Sequence, residues 1–332
     1  MSGDLLHGGA LDRMRTAFPD APEPWIDLST GINPWPYPDT SVTPASLHHL
    51  PTNAASLACR KAMTKAFGAP EESLLIAPGS EILIRLLPTV ISLRKISLLS
   101  PTYGDHANVW RGAGVKIINT ADPLAFADEV DAVVVCNPNN PDGRTFSPDA
   151  LDAARRRLAA RGGWLIVDEA YCDLDPSLSV ASLGGAEGLL ILRSFGKFYG
   201  LAGLRLGAII APESLRSHIA ARLGVWPASG PALEIGARAY ADHAWRLSTR
   251  KHLGAASRRL DGALVADGLT VVGGTDLFRF VEAEDAHSLW ERLARAGLYV
   301  RRFDWSARHL RIGLPPDASA QDRLAAALTP SG

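Results

Sequence analysis

Short apolar segments alternate with helix-like ones through the middle of this chain, and that alternation limits its fold more than any other feature. Leu74–Ala77, Ile96–Leu99, Val115–Ile118, Ala132–Cys136, Trp164–Val167, Leu189–Leu192 and Leu206–Ala211 are each only four to six residues long and almost wholly apolar. A strand apolar on both sides must be covered on both sides, which is the condition of a parallel sheet flanked by helices. The helices lie between the strands. Residues 53–67 carry Leu57, Met63, Ala66 and Phe67 among polar positions, and Gly68 is a stop. Pro78-Gly79-Ser80-Glu81 opens a second helix running to about Ile91, and 151–160 reads as a third. The expected class is α/β with a mostly parallel central sheet.

The flanks differ. Residues 1–50 hold no long periodic segment, and Asn33-Pro34-Trp35-Pro36-Tyr37-Pro38 must be extended, because each proline fixes its own φ and restricts its predecessor. Residues 213–262 read as mostly helical, broken near Pro227 and Pro231, and 269–281 and 297–312 as strands around a helix at 285–296. That is a smaller α+β unit, with a boundary near 212–216. The length of 332 residues suits two domains or one large one.

Composition excludes several classes. Hydrophobic residues make up 47% and charged residues 21%, which argues against a largely disordered chain. A net charge of −1 lacks the basic excess of a nucleic-acid binder. Cys59, Cys136 and Cys172 form no C-x-x-C pair, so neither a disulfide framework nor a zinc site is expected, and they read as buried thiols. The apolar runs are far shorter than the roughly 18 residues of a membrane helix, and the first 30 residues carry charges instead of an apolar leader core. The expectation is a soluble, cytoplasmic protein with no membrane or nucleic-acid partner.

Ligands of open parallel sheets bind at the carboxyl ends of the strands. Four polar clusters follow strands here: Pro78-Gly79-Ser80-Glu81, Asn137-Pro138-Asn139-Asn140-Pro141-Asp142-Gly143, Asp168-Glu169-Ala170-Tyr171 and Arg193-Ser194-Phe195-Gly196-Lys197. A lysine in a partly apolar cleft can lose its proton and attack a carbonyl carbon. Lys197, one of only six lysines, sits just past an apolar strand. Asp168 at a strand end would be partly desolvated and need a cationic or N–H partner. A Gly-Ser helix start can bind phosphate through backbone N–H groups. Taken alone, Lys197 reads as a solvated charge, Asn140–Gly143 as a turn and Gly79-Ser80 as a cap, and Asp168 reads equally as a helix cap. It is the convergence on one sheet edge that carries the argument.

The order and spacing of Asn140-Pro141-x-Gly143, Asp168-x-x-Tyr171, and Ser194-x-x-Lys197 followed by Arg205 resemble the fold-type I pyridoxal-phosphate enzymes of the aspartate aminotransferase superfamily. The resemblance covers nearly the whole chain. It implies pyridoxal 5′-phosphate as cofactor, with Lys197 the lysine that condenses with its aldehyde and Asp168 the carboxylate that keeps the pyridine ring protonated. It further implies Asn140 and Tyr171 as donors to the 3-oxygen, and Tyr103 of Pro101-Thr102-Tyr103-Gly104 stacked on the ring. The phosphate would be held by Gly79, Ser80, Glu81, Ser194 and Arg205. Arg311 in His309-Leu310-Arg311-Ile312-Gly313 matches the arginine for the substrate carboxylate. The domains so implied are an N-terminal arm and small-domain segment over 1–33, a large cofactor-binding domain over 34–214, and a small domain over 215–332. A homodimer is implied as well.

Within the superfamily, His7-Gly8-Gly9 and Ile26-Asp27-Leu28-Ser29-Thr30-Gly31-Ile32-Asn33-Pro34 resemble the threonine-phosphate decarboxylases of cobalamin biosynthesis. So does Asp142, where the related histidinol-phosphate aminotransferases more often have threonine. That resemblance makes His7 and Asn33 candidates for the substrate phosphate, with Arg301 as charged partner. Arg301 and Arg302 are successive strand residues, so only one of them faces a given side. The chain departs from the aminotransferases at His48-His49-Leu50-Pro51, where Leu50 stands in place of a tyrosine that reaches the partner subunit's cofactor phosphate. The expected reaction is decarboxylation of L-threonine O-3-phosphate. The alternatives are a histidinol-phosphate-type aminotransferase and a catalytically silent binding protein on the same fold.

Overall fold

The computed structural model describes residues 8–329. They group into two compact units: 36–140 with 144–247, and 8–35 with 141–143 and 248–329.

The first unit is built on seven strands, β2 (Leu74–Ala77), β3 (Lys95–Leu99), β4 (Lys116–Thr120), β5 (Ala132–Cys136), β6 (Trp164–Asp168), β7 (Leu189–Ser194) and β8 (Gly207–Ile210), in the order β2-β8-β7-β6-β5-β3-β4. Its helices are α2 (Pro44–His48), α3 (Asn53–Phe67), α4 (Ser80–Val90), α5 (Gly104–Gly112), α6 (Pro148–Ala159), α7 (Glu213–Leu223) and α8 (Gly230–Ala241). Local chemistry sets their ends. Thr52 and Ser147 accept from Ala55 N and Ala150 N at the starts of α3 and α6. Gly68 ends α3 at φ 69°, a left-handed conformation that favours glycine. Leu83, Ile84 and Leu87 of α4 pack on Leu98, Val134, Ile166, Leu190 and Ile209 of the sheet. Each such buried side chain contributes about 1.5–3 kcal/mol.

The sheet is parallel except for β8, which runs antiparallel to both neighbours, β2 and β7. Residues 213–247, expected with the C-terminal part, instead pack with this unit. The reason is that α7 lies on α4 and β2, and α8 lies along α3. Helix α5 has no counterpart among the expected elements.

The second unit holds α1 (Leu11–Ala17), β1 (Ile26–Leu28), β9 (Thr270–Thr275), β10 (Phe278–Glu282), α10 (Ala286–Arg295), β11 (Leu298–Phe303), β12 (Ser306–Gly313) and α11 (Ala318–Leu328). The long helix α9 (His243–Ala266) contains the boundary. The five strands pair in the order β1-β11-β12-β10-β9. β1 is parallel to β11, and the other pairs are antiparallel. The strand region expected over 297–312 is thus a hairpin. Asp142 and Gly143 dock backbone to backbone on β9, where Gly274 N donates to Asp142 O over 2.9 Å. Side chains are excluded there: a Cβ on Gly143 would come within 1.8 Å of Gly274 O. Among the described residues, no helix is long and apolar enough to cross a membrane.

Candidate active site

The antiparallel β8 explains how Arg205 joins the strand-end clusters. Because β8 is reversed, its first residue, Gly207, pairs with the last residues of both neighbours, Ala77 of β2 and Ser194 of β7. Arg205, two positions earlier, therefore lies at the same edge as Gly79-Ser80 and the Ser194–Lys197 turn. It holds φ 52°, the one positive φ outside glycine among the described residues. Its guanidinium sits against Gly79, where an added Cβ would meet Nη2 at 2.9 Å. Gly79 itself has φ 86° and leads into α4 with no side-chain cap on the first-turn N–H groups. An uncapped helix start beside a guanidinium is a place for an anion such as phosphate.

Asp168 ends β6 between Cys136 of β5 and Leu192 of β7. It is buried, and no helix follows it. Its Oδ1 accepts from Ala170 N at 3.0 Å in a local turn, which replaces the helix-cap alternative. Its Oδ2 lies 2.9 Å from Nε2 of the fully buried His106. His106 stands in α5, three residues after Tyr103, and was missed in the sequence because α5 was not read as a helix. The Nδ1 atom of His106 is buried without a hydrogen-bond partner. A carboxylate so placed and oriented can accept an N–H from a heterocycle.

Lys197 follows β7, half-buried, with Nζ 5.9 Å from the centroid of the buried Tyr171 ring. Asn140 is half-buried at the end of a tightly bonded turn. There Asn139 donates to Pro101 O (2.9 Å) and accepts from the Thr102 hydroxyl (2.7 Å), while Asn137 accepts from Phe146 N (2.8 Å). These neighbours hold the strand ends of β3 and β5 together. Tyr103 precedes α5, and its hydroxyl reaches two carboxylates, those of Glu81 and Asp105. Beneath the Lys197 turn, Arg193 is buried between Glu169 (2.6 Å) and Asp173 (2.7 Å) and over the Phe67 ring. Those carboxylates hold its guanidinium charged despite burial, with its pKa raised above the ordinary value.

In the second unit, Arg311 of β12 is buried, lies over the Phe278 ring at 4.9 Å and donates to Ser29 O. It pairs directly with Arg301 of β11, so the two side chains share one face of the sheet. Arg302 faces the other way, stacked 4.6 Å over Trp290 and 3.2 Å from His287 Nδ1 of α10. Asn33 is buried, accepts from Trp35 N at 2.9 Å, and lines an open cleft of about 610 Å³. His7 lies outside the described residues. Among the described residues, no cluster of three or more His, Cys, Asp or Glu could hold a metal ion.

The family model for aminotransferase class I and II matches residues 28–328. The chain belongs to the class I and II aminotransferases. Among curated members, it is 41% identical over 332 residues to a threonine-phosphate decarboxylase of a Sinorhizobium species, covering 99% of this chain and 98% of that protein. It is 39% identical over 326 residues to the threonine-phosphate decarboxylase of Pseudomonas aeruginosa, covering 98% and 97%. A solved L-threonine-O-3-phosphate decarboxylase from Porphyromonas gingivalis shares the fold, with a TM-score of 0.74 at 20% identity over 91% of this chain and 97% of that one. The aminotransferase-like α/β architecture expected from the sequence is therefore the one present. The donor set also fits pyridoxal phosphate: an uncapped helix start beside a guanidinium, a buried and braced carboxylate, and a lysine at the next strand end.

Proposed function

We propose that this chain is a pyridoxal-phosphate-dependent carboxy-lyase that converts L-threonine O-3-phosphate to (R)-1-amino-2-propanol O-2-phosphate and CO₂, a step of cobalamin biosynthesis. The observation that carries this reading is the nearly full-length likeness to two threonine-phosphate decarboxylases, in a chain whose strand ends present the lysine, carboxylate and anion-binding groups together.

The bound cofactor supplies an electron sink for the pair left when the Cα–carboxylate bond breaks. Around it, this chain's residues divide the work. Gly79, Ser80 and Glu81 offer backbone N–H groups, and Ser194 and Arg205 their side chains, to the phosphate. Asp168, held by His106 and Ala170 N–H, keeps the ring nitrogen protonated. Asn140 and Tyr171 bond the 3-oxygen. Lys197 would hold the cofactor through its amine when no substrate is bound.

For the substrate we assign Arg311 to the carboxylate, and Asn33, Arg301 and His7 to the phosphate. Arg301 and Arg311 are partners in the pairing of β11 with β12, so two cationic side chains share one face of the sheet, which suits an anionic ligand there. We also read the protein as a cytoplasmic homodimer. Leu47, Leu50, Val225 and Trp226 of the first unit are large apolar side chains between 54% and 82% exposed, as a subunit interface would require. Leu50 cannot replace the hydrogen bond of the tyrosine it stands for, so the partner's phosphate contact comes from another group or is absent.

The test is to supply pyridoxal phosphate and threonine phosphate with and without a keto acid. CO₂ evolution independent of keto acid supports the reading. Amino transfer that requires keto acid and releases no CO₂ would reject it in favour of an aminotransferase, and no reaction at all would favour a silent binding protein.

A further inference from the structure

The hydroxyl of Tyr103 meets two acidic side chains at once. It is 2.9 Å from Glu81 Oε2 and 3.0 Å from Asp105 Oδ2. Neither carboxylate comes from a chance surface neighbour. Glu81 belongs to the first turn of α4, whose backbone points at the proposed phosphate site, and Asp105 is buried in the first turn of α5. Arg85, one turn after Glu81, bonds Glu81 Oε1 through Nε at 2.7 Å and reaches Asp105 Oδ2 at 3.4 Å. One guanidinium thus contacts both acids, and one phenol lies within reach of both. The far side of the Tyr103 ring is also fixed, since it meets the His106 ring nearly edge-on at 86° with centroids 6.1 Å apart. His106 in turn holds Asp168.

We propose that Glu81 and Asp105 are positioning residues that act through the Tyr103 hydroxyl, holding the outer end of that ring in place so that it presents a rigid platform to the cofactor. The proposal rests on the pyridoxal-phosphate reading above. A tyrosine side chain turns about two bonds, and its hydroxyl lies on the axis of the second, so a bond to the hydroxyl fixes where that axis points while a contact at the ring edge fixes the plane. The single O–H donates to one carboxylate at a time, so the two acids together hold the outer end of the ring while the edge-on His106 ring sets its plane, and the stacking face is in place before the cofactor arrives. Pinned between carboxylates and largely buried, the phenol is held protonated, with its pKa raised above the usual tyrosine value. Tyr103 so held offers a surface to stack on.

A double-mutant cycle tests the coupling. Glu81→Gln and Asp105→Asn are made in the full-length protein, each alone and together with Tyr103→Phe. Each variant is scored by the dissociation constant for pyridoxal phosphate, by the visible circular dichroism of the bound cofactor, which reports its orientation, and by thermal midpoint. Removing a carboxylate near the phosphate also changes affinity through charge alone, and that part persists in the Tyr103→Phe background. The hydroxyl-mediated part does not. The expected result is a coupling of about threefold or more in affinity between Tyr103 and each acid, with visible dichroism that falls in all three single variants and does not fall further in the doubles. Equal effects of Glu81→Gln and Asp105→Asn in both backgrounds, or dichroism unchanged in the single variants, would overturn the proposal while leaving the cofactor reading intact. A parent protein that develops no visible dichroism with pyridoxal phosphate would reject both.

Discussion

His106 and Asp168 are joined in the interior by a 2.9 Å contact between Nε2 and Oδ2, with the His106 side chain fully buried and that of Asp168 only 5% exposed. With Ala170 N on its other oxygen at 3.0 Å, the buried carboxylate is held in one orientation, and in this account that orientation serves the cofactor's ring nitrogen. Asp168→Ala should lower kcat by at least about a hundredfold, the scale of losing a group that stabilises developing charge. His106→Ala should leave the carboxylate present but loosely aimed and lower kcat about tenfold. Steady-state kinetics on threonine phosphate at saturating cofactor check both, and a His106→Ala enzyme as active as the parent would refute the orienting role.

Arg311 and Arg302 lie on opposite faces of the same sheet, so they should behave differently. Arg311→Ala should raise KM for threonine phosphate by about tenfold or more, as expected for loss of a charge-assisted hydrogen bond to a carboxylate. Arg302→Ala should change KM less than about twofold, because its guanidinium is engaged with Trp290 and His287. The same rate assay reports both. Equal KM values for the two variants would return Arg311 to a structural role.

The ion pairs of Arg193 make a prediction about stability. Arg193→Ala leaves Glu169 and Asp173 buried without their cation and should cost about 3–5 kcal/mol. Urea denaturation of the variant measures this, and a loss below about 1 kcal/mol would contradict the pairing. Arg193 lies over Phe67, whose ring meets Tyr240, and Tyr240 packs on Tyr199 and through it on Phe195, so the same variant should also loosen the Lys197 turn and weaken cofactor binding.

Two glycines with nearly equal φ should respond differently to one methyl group. Gly68 (φ 69°) has nothing within 4 Å of an added Cβ, so Gly68→Ala costs only the left-handed conformation, about 1 kcal/mol. An added Cβ on Gly143 (φ 72°) would lie 1.8 Å from Gly274 O, so Gly143→Ala must displace backbone as well and should cost about 3 kcal/mol or more. Thermal midpoints of the two variants decide. Equal shifts would show that the docking of Asp142-Gly143 on β9 is absent in solution.

Much of this was legible in the sequence, for identifiable reasons. The bounds of α3, β2 and β5 follow from apolar spacing and from Gly68, since fully buried strands and a capped amphipathic helix leave strong patterns. The direction of β8 was not legible, because an apolar run looks the same read either way, yet that reversal is what carries Arg205 to the site edge. Helix α5 escaped because Gly104–Gly112 mixes Asp105, His106 and Asn108 into its turns, and with it went His106 and the Asp105 contact to Tyr103. The grouping of 213–247 with the first unit depends on α7 and α8 finding α3 and α4, a tertiary choice that local composition does not record. The opposite facing of Arg301 and Arg302 was implied by strand alternation, but which of them joins Arg311 required the register of β11 on β12.

The most direct test of the decarboxylase assignment is the fate of Cα in heavy water. Threonine phosphate turned over in D₂O should give aminopropanol phosphate carrying a single deuteron on the carbon that lost its carboxylate, with CO₂ released in equal amount. A keto phosphate product that retains the carboxylate, with the amino group moved to an added keto acid, would contradict the account.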